Sequence, residues 1–151
     1  MKELSLLFSR PMKFKWVSAL IMRYLKTPYS HVAVEVKIDS LGESIVYEAT
    51  WWGIVCTSKM RWLEKNITVH EKKFRFKPKD YKEIQKYCIR QLGKPYGFRN
   101  FVALITNNKC VSDGEDAFIC SELAYRVISK KIEIEKDPDH VTPRDLYEAV
   151  K

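Results

Sequence analysis

The stretch that decides the fold is SHVAVEVKIDSLGESIVYEAT, Ser30 to Thr50. Valines at alternate positions from Val32 to Val36 mark a strand. DSLGE is a turn by composition, and SIVYEAT reads as a second strand returning beside the first, an antiparallel hairpin. Side chains alternate along a strand, so His31, Ala33 and Glu35 share one face. If the chain folds about DSLG, paired residue numbers sum to 79 or 81. Either odd sum puts Glu48 on the face of His31. Directly opposite Cβ atoms lie about 5 Å apart and diagonal ones about 7–8 Å, so either register lets a carboxylate reach the imidazole. Glu35 sits four residues along the same strand, about 13 Å away, which makes Glu48 the better partner for the ring.

Working outward, Leu4 to Phe8 reads as a strand interrupted at Pro11. Phe14, Val17, Leu20, Ile21, Tyr24 and Leu25 recur at helical spacing, with lysines and Arg23 mostly on the other side, until Pro28. Gly53 to Cys56 and Ile67 to Phe76 read as further strands. A helix after Pro78 has Asp80 as its expected N-cap and Glu83 three residues on. Its apolar face is Tyr81, Ile84, Cys88 and Leu92, and Gly93 ends it. A helix from about Cys120 to Lys130 carries Cys120, Leu123, Ala124, Val127 and Ile128 on one stripe, with Ser121, Glu122, Arg126 and Lys130 facing away. Thr142 and Pro143 start a short last helix. Several consecutive short strands among helices predict an α+β fold, an antiparallel sheet packed against helices, in one domain over residues 1–151.

Composition sets limits on this reading. With 46% hydrophobic and 13% aromatic residues the 151-residue chain can build a core, which argues against disorder. Twenty-seven basic against nineteen acidic residues leave a net charge of +8, which favours an anionic partner such as a lipid surface. The lysines are scattered along the chain, so the charge also reads as an ordinary solvated surface, and no specific nucleic acid is expected. No window approaches ~18 consecutive apolar residues, the length of a membrane span, and MKELSLLFSRPMKFKW lacks the pattern of an export signal. Cys56, Cys88, Cys110 and Cys120 form no CxxC pair, which points to a reducing, cytoplasmic compartment. Without CxxC or HxxxH ligand pairs, neither a metal site nor a cofactor is expected.

The chemistry turns on FICSELAYRVI, Phe118 to Ile128. Cys120 follows the polar loop DGEDAF and so falls in the first turn of its helix. Free N–H groups and the positive end of the helix dipole favour a thiolate there. Taken alone, the residue also reads as a small buried side chain. Of the three histidines, His70 falls within a charged strand and His140 in a Pro-flanked loop. His31 opens a core strand, either as a base for Cys120 or as a strand-end histidine bonded to backbone. Glu48 would hold its imidazole in one tautomer.

The stretches SHVAVEV, VYEATWWGIV, LGKPYGF and FICSELAYRVI, from Leu4 to Tyr147 in extent, resemble the motifs of the NlpC/P60 superfamily of papain-like cysteine hydrolases. In the usual members the tyrosine and cysteine segments precede the histidine strand. Here they follow it, an order similar to the circularly permuted, YiiX-like branch, itself distantly like lecithin retinol acyltransferase. The resemblance implies a papain-like fold with circularly permuted topology, Cys120 as nucleophile, His31 as base, Glu48 as the third polar residue and Tyr96 lining the site. Ser121, next to the nucleophile, and Trp51, next to Glu48, are expected at the substrate. Ile119 stands where the usual motif has aspartate. The expected activity is cleavage of an amide or ester through an acyl-enzyme, on a peptide or a fatty-acyl substrate. The run FRNFVALI fits a lipid-accepting groove or a plain core helix. The rival from another class is a binding protein for lipid or nucleic acid that kept the fold without the chemistry.

Overall fold

The computed structural model describes residues 1–38, 42–106 and 117–151. Residues 39–41 of the expected DSLG turn, and Cys110, lie outside the described residues. The strands are β1 (Lys2–Pro11), β2 (His31–Ile38), β3 (Glu43–Thr50), β4 (Gly53–Ser58) and β5 (Asn66–Phe76). They form one five-stranded sheet in the order β4-β3-β2-β1-β5, antiparallel throughout. The helices are α1 (Trp16–Leu25), α2 (Lys59–Leu63), α3 (Pro78–Gln91), α4 (Phe98–Thr106), α5 (Cys120–Ile128) and α6 (Pro143–Ala149), with a 3-10 turn at Pro138–His140. The predicted α+β class and antiparallel sheet are both present.

The period-2 pattern separates the two faces of the sheet. Leu4, Leu6 and Phe8 of β1, Val32, Val34 and Val36 of β2, and Tyr47 and Ala49 of β3 point into the main core. They pack there against Tyr81, Ile84 and Cys88 of α3, the apolar residues of α5, and Leu146 of α6. Each fully buried aliphatic side chain contributes at most about 1.5–3 kcal/mol. The opposite face carries Leu7, Ala33 and Val46, covered by Trp62 of α2. Glu35 is also on this side, buried, and its carboxylate accepts from Lys59 Nζ at 2.6 Å.

Val34 pairs with Tyr47 and Val36 with Ile45, a sum of 81, one of the two expected registers. The ladder stops at Val34–Tyr47, so the ends of β2 and β3 that carry His31 and Glu48 are free of one another's backbone. The sequence expectation and the structure part at several places. β1 runs on to Pro11, because a proline is tolerated at a strand end. Lys77, and not Asp80, caps α3, since Pro78 occupies the first helical position that its fixed φ suits. Leu92 sits beyond the end of α3 and is 37% exposed. α2 was not foreseen.

Helix α5 differs most. Ser121 and Glu122 do not face solvent: both are fully buried, as is almost every residue of the helix. The Ser121 hydroxyl donates to the Val141 carbonyl. Glu122 accepts from Arg126 Nε at 3.0 Å, one helical turn on. Burial pushes its carboxyl up to about 7, against the pull of Arg126.

Candidate active site

Cys120 is the first residue of α5, and the preceding Ile119 offers no side-chain cap. The N-terminal N–H groups of the helix are therefore left facing the sulfur's side. The backbone N–H of Ser121, from the helix, and that of Val32, two residues past the last β2–β3 rung, both donate to the Cys120 sulfur. The open end of the sheet thus receives the start of the helix, and the sulfur sits where the two meet.

His31 stands beside it. Its Nε2 lies 2.7 Å from Glu48 Oε2, which leaves Nδ1 as the nitrogen for Cys120. In the observed register Glu48 is diagonal to His31 on the same face of the sheet. A second donor reaches the same carboxylate oxygen: Trp62 Nε1, at 3.1 Å from Glu48 Oε2. The side chains of His31 and Glu48 are 21% and 13% exposed, so the pair is only thinly screened by water.

The electrostatics follow from this packing. Burial penalises a charged imidazole at His31, yet the Cys120 sulfur and the Glu48 carboxylate together outweigh it and push the pKa up to about 10. Burial likewise opposes a thiolate at Cys120. The charge and hydrogen bond of His31, with the two backbone N–H groups, win and hold the thiol below its ordinary value. Burial also opposes charge on Glu48, but His31, Trp62 and Lys15 hold its carboxyl low. All three shifts favour the charged form of their group, with His31 set between the Cys120 sulfur and the Glu48 carboxylate. Cys88 shows the contrast. It is equally buried in α3, has no such partners, and burial pushes it up to about 12.

The three side chains line a cleft of about 850 Å³. Val17, Ser18 and Ile21 of α1, with Lys15 just before it, form part of its wall, and Trp51, Trp52 and Tyr96 another. Tyr96 is carried by the GKPYG segment, which backbone bonds fasten to β4: Ile54 N–H to Lys94 O and Gly93 N–H to Ile54 O, both 2.9 Å. Gly53 allows that approach, since a Cβ on it would lie 2.5 Å from Lys94 O. Burial and the charge of Cys120 both raise the Tyr96 phenol. Trp51 packs on Tyr96 at 4.8 Å between ring centroids and on Phe101 at 5.4 Å.

Of the six residues expected here, Cys120, His31, Glu48, Tyr96 and Trp51 line the cleft and Ser121 does not. The Ser121 side chain is turned into the core to bond Val141, and only its backbone N–H serves the site. His70 stacks on Tyr147 at 4.7 Å, and neither it nor His140 lines the cleft. Glu35 is paired with Lys59, as its distance along the strand requires. Trp62 and Lys15 went unforeseen. The tryptophan is the fourth residue of a five-residue helix, too short to show a periodicity.

No protein-family model matches the chain, and no curated protein does. Among solved structures, the crystal structure of metalloprotein yiiX from Escherichia coli O157:H7 matches with a TM-score of 0.67. It is 17% identical over 98% of this chain and 91% of that one. At this identity the likeness establishes a shared YiiX-like α+β fold. That protein is described as a metalloprotein. Among the described residues of this chain, no group of three or more His, Cys, Asp or Glu side chains is gathered to hold an ion. Among them, too, no helix is long and apolar enough to cross a membrane.

Proposed function

We propose that the chain is a cysteine hydrolase or acyl-transfer enzyme of the permuted NlpC/P60 kind, acting through Cys120, His31 and Glu48. The observation that carries this reading is the placement of His31 between the Cys120 sulfur and the Glu48 carboxylate, at the start of a helix, mostly shielded from water and open to a cleft. The Cys120 thiolate attacks the carbonyl carbon of an amide or ester. Negative charge builds on the carbonyl oxygen beside the first-turn N–H groups of α5. His31 gives its proton to the departing amine or alcohol as the carbon–nitrogen or carbon–oxygen bond breaks, leaving an acyl-thioester on Cys120. Water, or an acceptor hydroxyl or amine, then loses a proton to His31 and takes the acyl group. Glu48, held by Trp62, orients the ring and stabilises its charged form.

The apolar and aromatic walls contributed by Val17, Ile21, Trp51 and Trp52 favour an acyl group with hydrocarbon character over a small polar one. A panel of thioester and activated-amide probes with peptide or fatty acyl chains tests this, with acylation read by intact mass. Wild type should acquire one acyl group at Cys120, and Cys120→Ala none. Iodoacetamide should label Cys120 far faster than Cys88. Equal labelling of the two cysteines, or acylation that survives Cys120→Ala, would overturn the reading.

A further inference from the structure

Helix α1 presents an apolar stripe to solvent. Trp16, Leu20 and Tyr24 recur at every fourth position and are 71%, 51% and 49% exposed. Met12 and Phe14, just before the helix, extend the stripe, and Phe14 is 85% exposed. The opposite side of the same helix is already engaged. Ser18 and Leu25 are buried, Val17 and Ile21 line the cleft, and Arg144 Nη1 donates to the Leu25 carbonyl at 3.2 Å. The outward stripe is thus a surplus that folding of this chain does not use.

Charge identifies what covers it. Arg10, Lys13, Lys15, Arg23 and Lys26 lie in this segment, and no acidic residue occurs from Met12 through Val34. Large aromatic and aliphatic side chains framed by lysine and arginine match the boundary of a bilayer, with apolar groups among the acyl chains and cations at the phosphates. A second copy of this chain would bring the same cations against themselves. A nucleic acid would meet the cations but leave Met12, Phe14 and Leu20 against phosphate and water.

We infer that α1 and the segment before it dock this protein on an anionic lipid surface, with Phe14, Trp16, Leu20 and Tyr24 in the interface. The inference stands independently of the proposed chemistry. Because Val17 and Ile21 of the same helix, and Lys15 just before it, wall the cleft, docking brings that cleft beside the lipid.

Sedimentation with vesicles tests it, using phosphatidylcholine alone, phosphatidylcholine with phosphatidylserine, and duplex DNA as a competitor. Wild type should bind the anionic vesicles, with affinity that falls as salt rises. Trp16→Glu with Leu20→Glu should weaken that binding about a hundred-fold. Lys13→Glu with Arg23→Glu should weaken it about ten-fold or more. Phe14→Glu alone, outside the helix and unable to unfold it, should also weaken it measurably. Iodoacetamide labelling of Cys120 should stay at the wild-type rate in every variant, which reports an intact fold and separates failure of docking from failure of the proposed chemistry. No binding to anionic vesicles, variants that bind as wild type does, or preferential capture by DNA would each overturn the inference.

Discussion

Replacing Glu48 with glutamine tests the electrostatic core of the site, because the substitution keeps the shape and removes the charge. His31 Nε2 is 2.7 Å from Glu48 Oε2, and both side chains are mostly shielded from water. A hydrogen bond to a charged acceptor contributes about 1–1.5 kcal/mol more than one to a neutral acceptor, or roughly one pH unit. That is the lower bound. Coulomb attraction between unit charges about 4 Å apart, at the effective dielectric of a protein, reaches about 4 kcal/mol, or roughly three units, the upper bound. His31 should therefore fall from about 10 by about one to three units in Glu48→Gln. The assay is an NMR titration of the imidazole Cε1–H resonances, with the His31 signal assigned by its absence in His31→Asn. The sign for stability follows. A folded pKa of about 10 above an ordinary 6.5 means the contribution of His31 is whole below pH 6.5 and is lost as pH rises through 10. In the variant that loss begins earlier. A wild-type His31 that titrates near 6.5, or a shift under about half a unit on losing the carboxylate, would refute the charged line from sulfur to carboxylate.

Three further outcomes follow from contacts around the site. Trp62→Phe keeps the buried ring but removes the donor 3.1 Å from Glu48 Oε2, so the Glu48 carboxyl should rise by about one to two units, read by carbon NMR of labelled carboxyls. Gly53→Ala puts a Cβ 2.5 Å from Lys94 O at a φ of +107°. The left-handed backbone alone costs about 1–2 kcal/mol, so the melting temperature should drop by at least about 3 °C, and Cys120 labelling should change as Tyr96 shifts. For Glu122, burial lifts the carboxyl from 4.5 to about 7. Its contribution is whole below pH 4.5 and lost as pH rises through 7, a difference on the order of 3 kcal/mol. Urea unfolding of Glu122→Gln should lack that decline, and identical pH profiles for variant and wild type would refute it.

How much of the fold could be read in advance depends on how far each element's character is local. The β2–β3 hairpin is legible because valine alternation fixes which face each residue takes, and of the two odd sums that put Glu48 on the face of His31, 81 is observed. α6 is legible because Thr142 as N-cap and Pro143 at the first helical position mark its start, and the structure adds Asp145, which completes a capping box with Thr142. α2 was not: five residues give too few turns for a hydrophobic period. At α3 two local signals compete, and Pro78 at the first helical position puts the cap at Lys77, three residues ahead of Asp80. For α5 the stripe was right and its complement wrong. A helical period tells which face is apolar, but it cannot tell that a sheet, α6 and the 3-10 turn close over the polar face as well. Ser121 and Glu122 then satisfy themselves within the core, on Val141 and Arg126.

The candidate site divides the same way. His31 and Glu48 meet because of strand parity, which is arithmetic on the sequence. Their meeting with Cys120 needs a longer-range fact, the early end of the β2–β3 ladder at Val34–Tyr47, which frees the Val32 N–H for the sulfur. No periodicity carries that information, because it concerns a rung that is missing. Cys88 makes the point physically. It too is a buried cysteine on an apolar helix face, yet its thiol is pushed to about 12 while that of Cys120 is pulled below its ordinary value. Burial acts on both in the same direction. What separates them is a helix start without a side-chain cap, a strand end that pairs with β1 but not with β3, and an imidazole bonded to a carboxylate that Trp62 also holds. Each of these is a backbone or side-chain group left open by one element and taken up by another, and all three converge on Cys120 and none of them on Cys88.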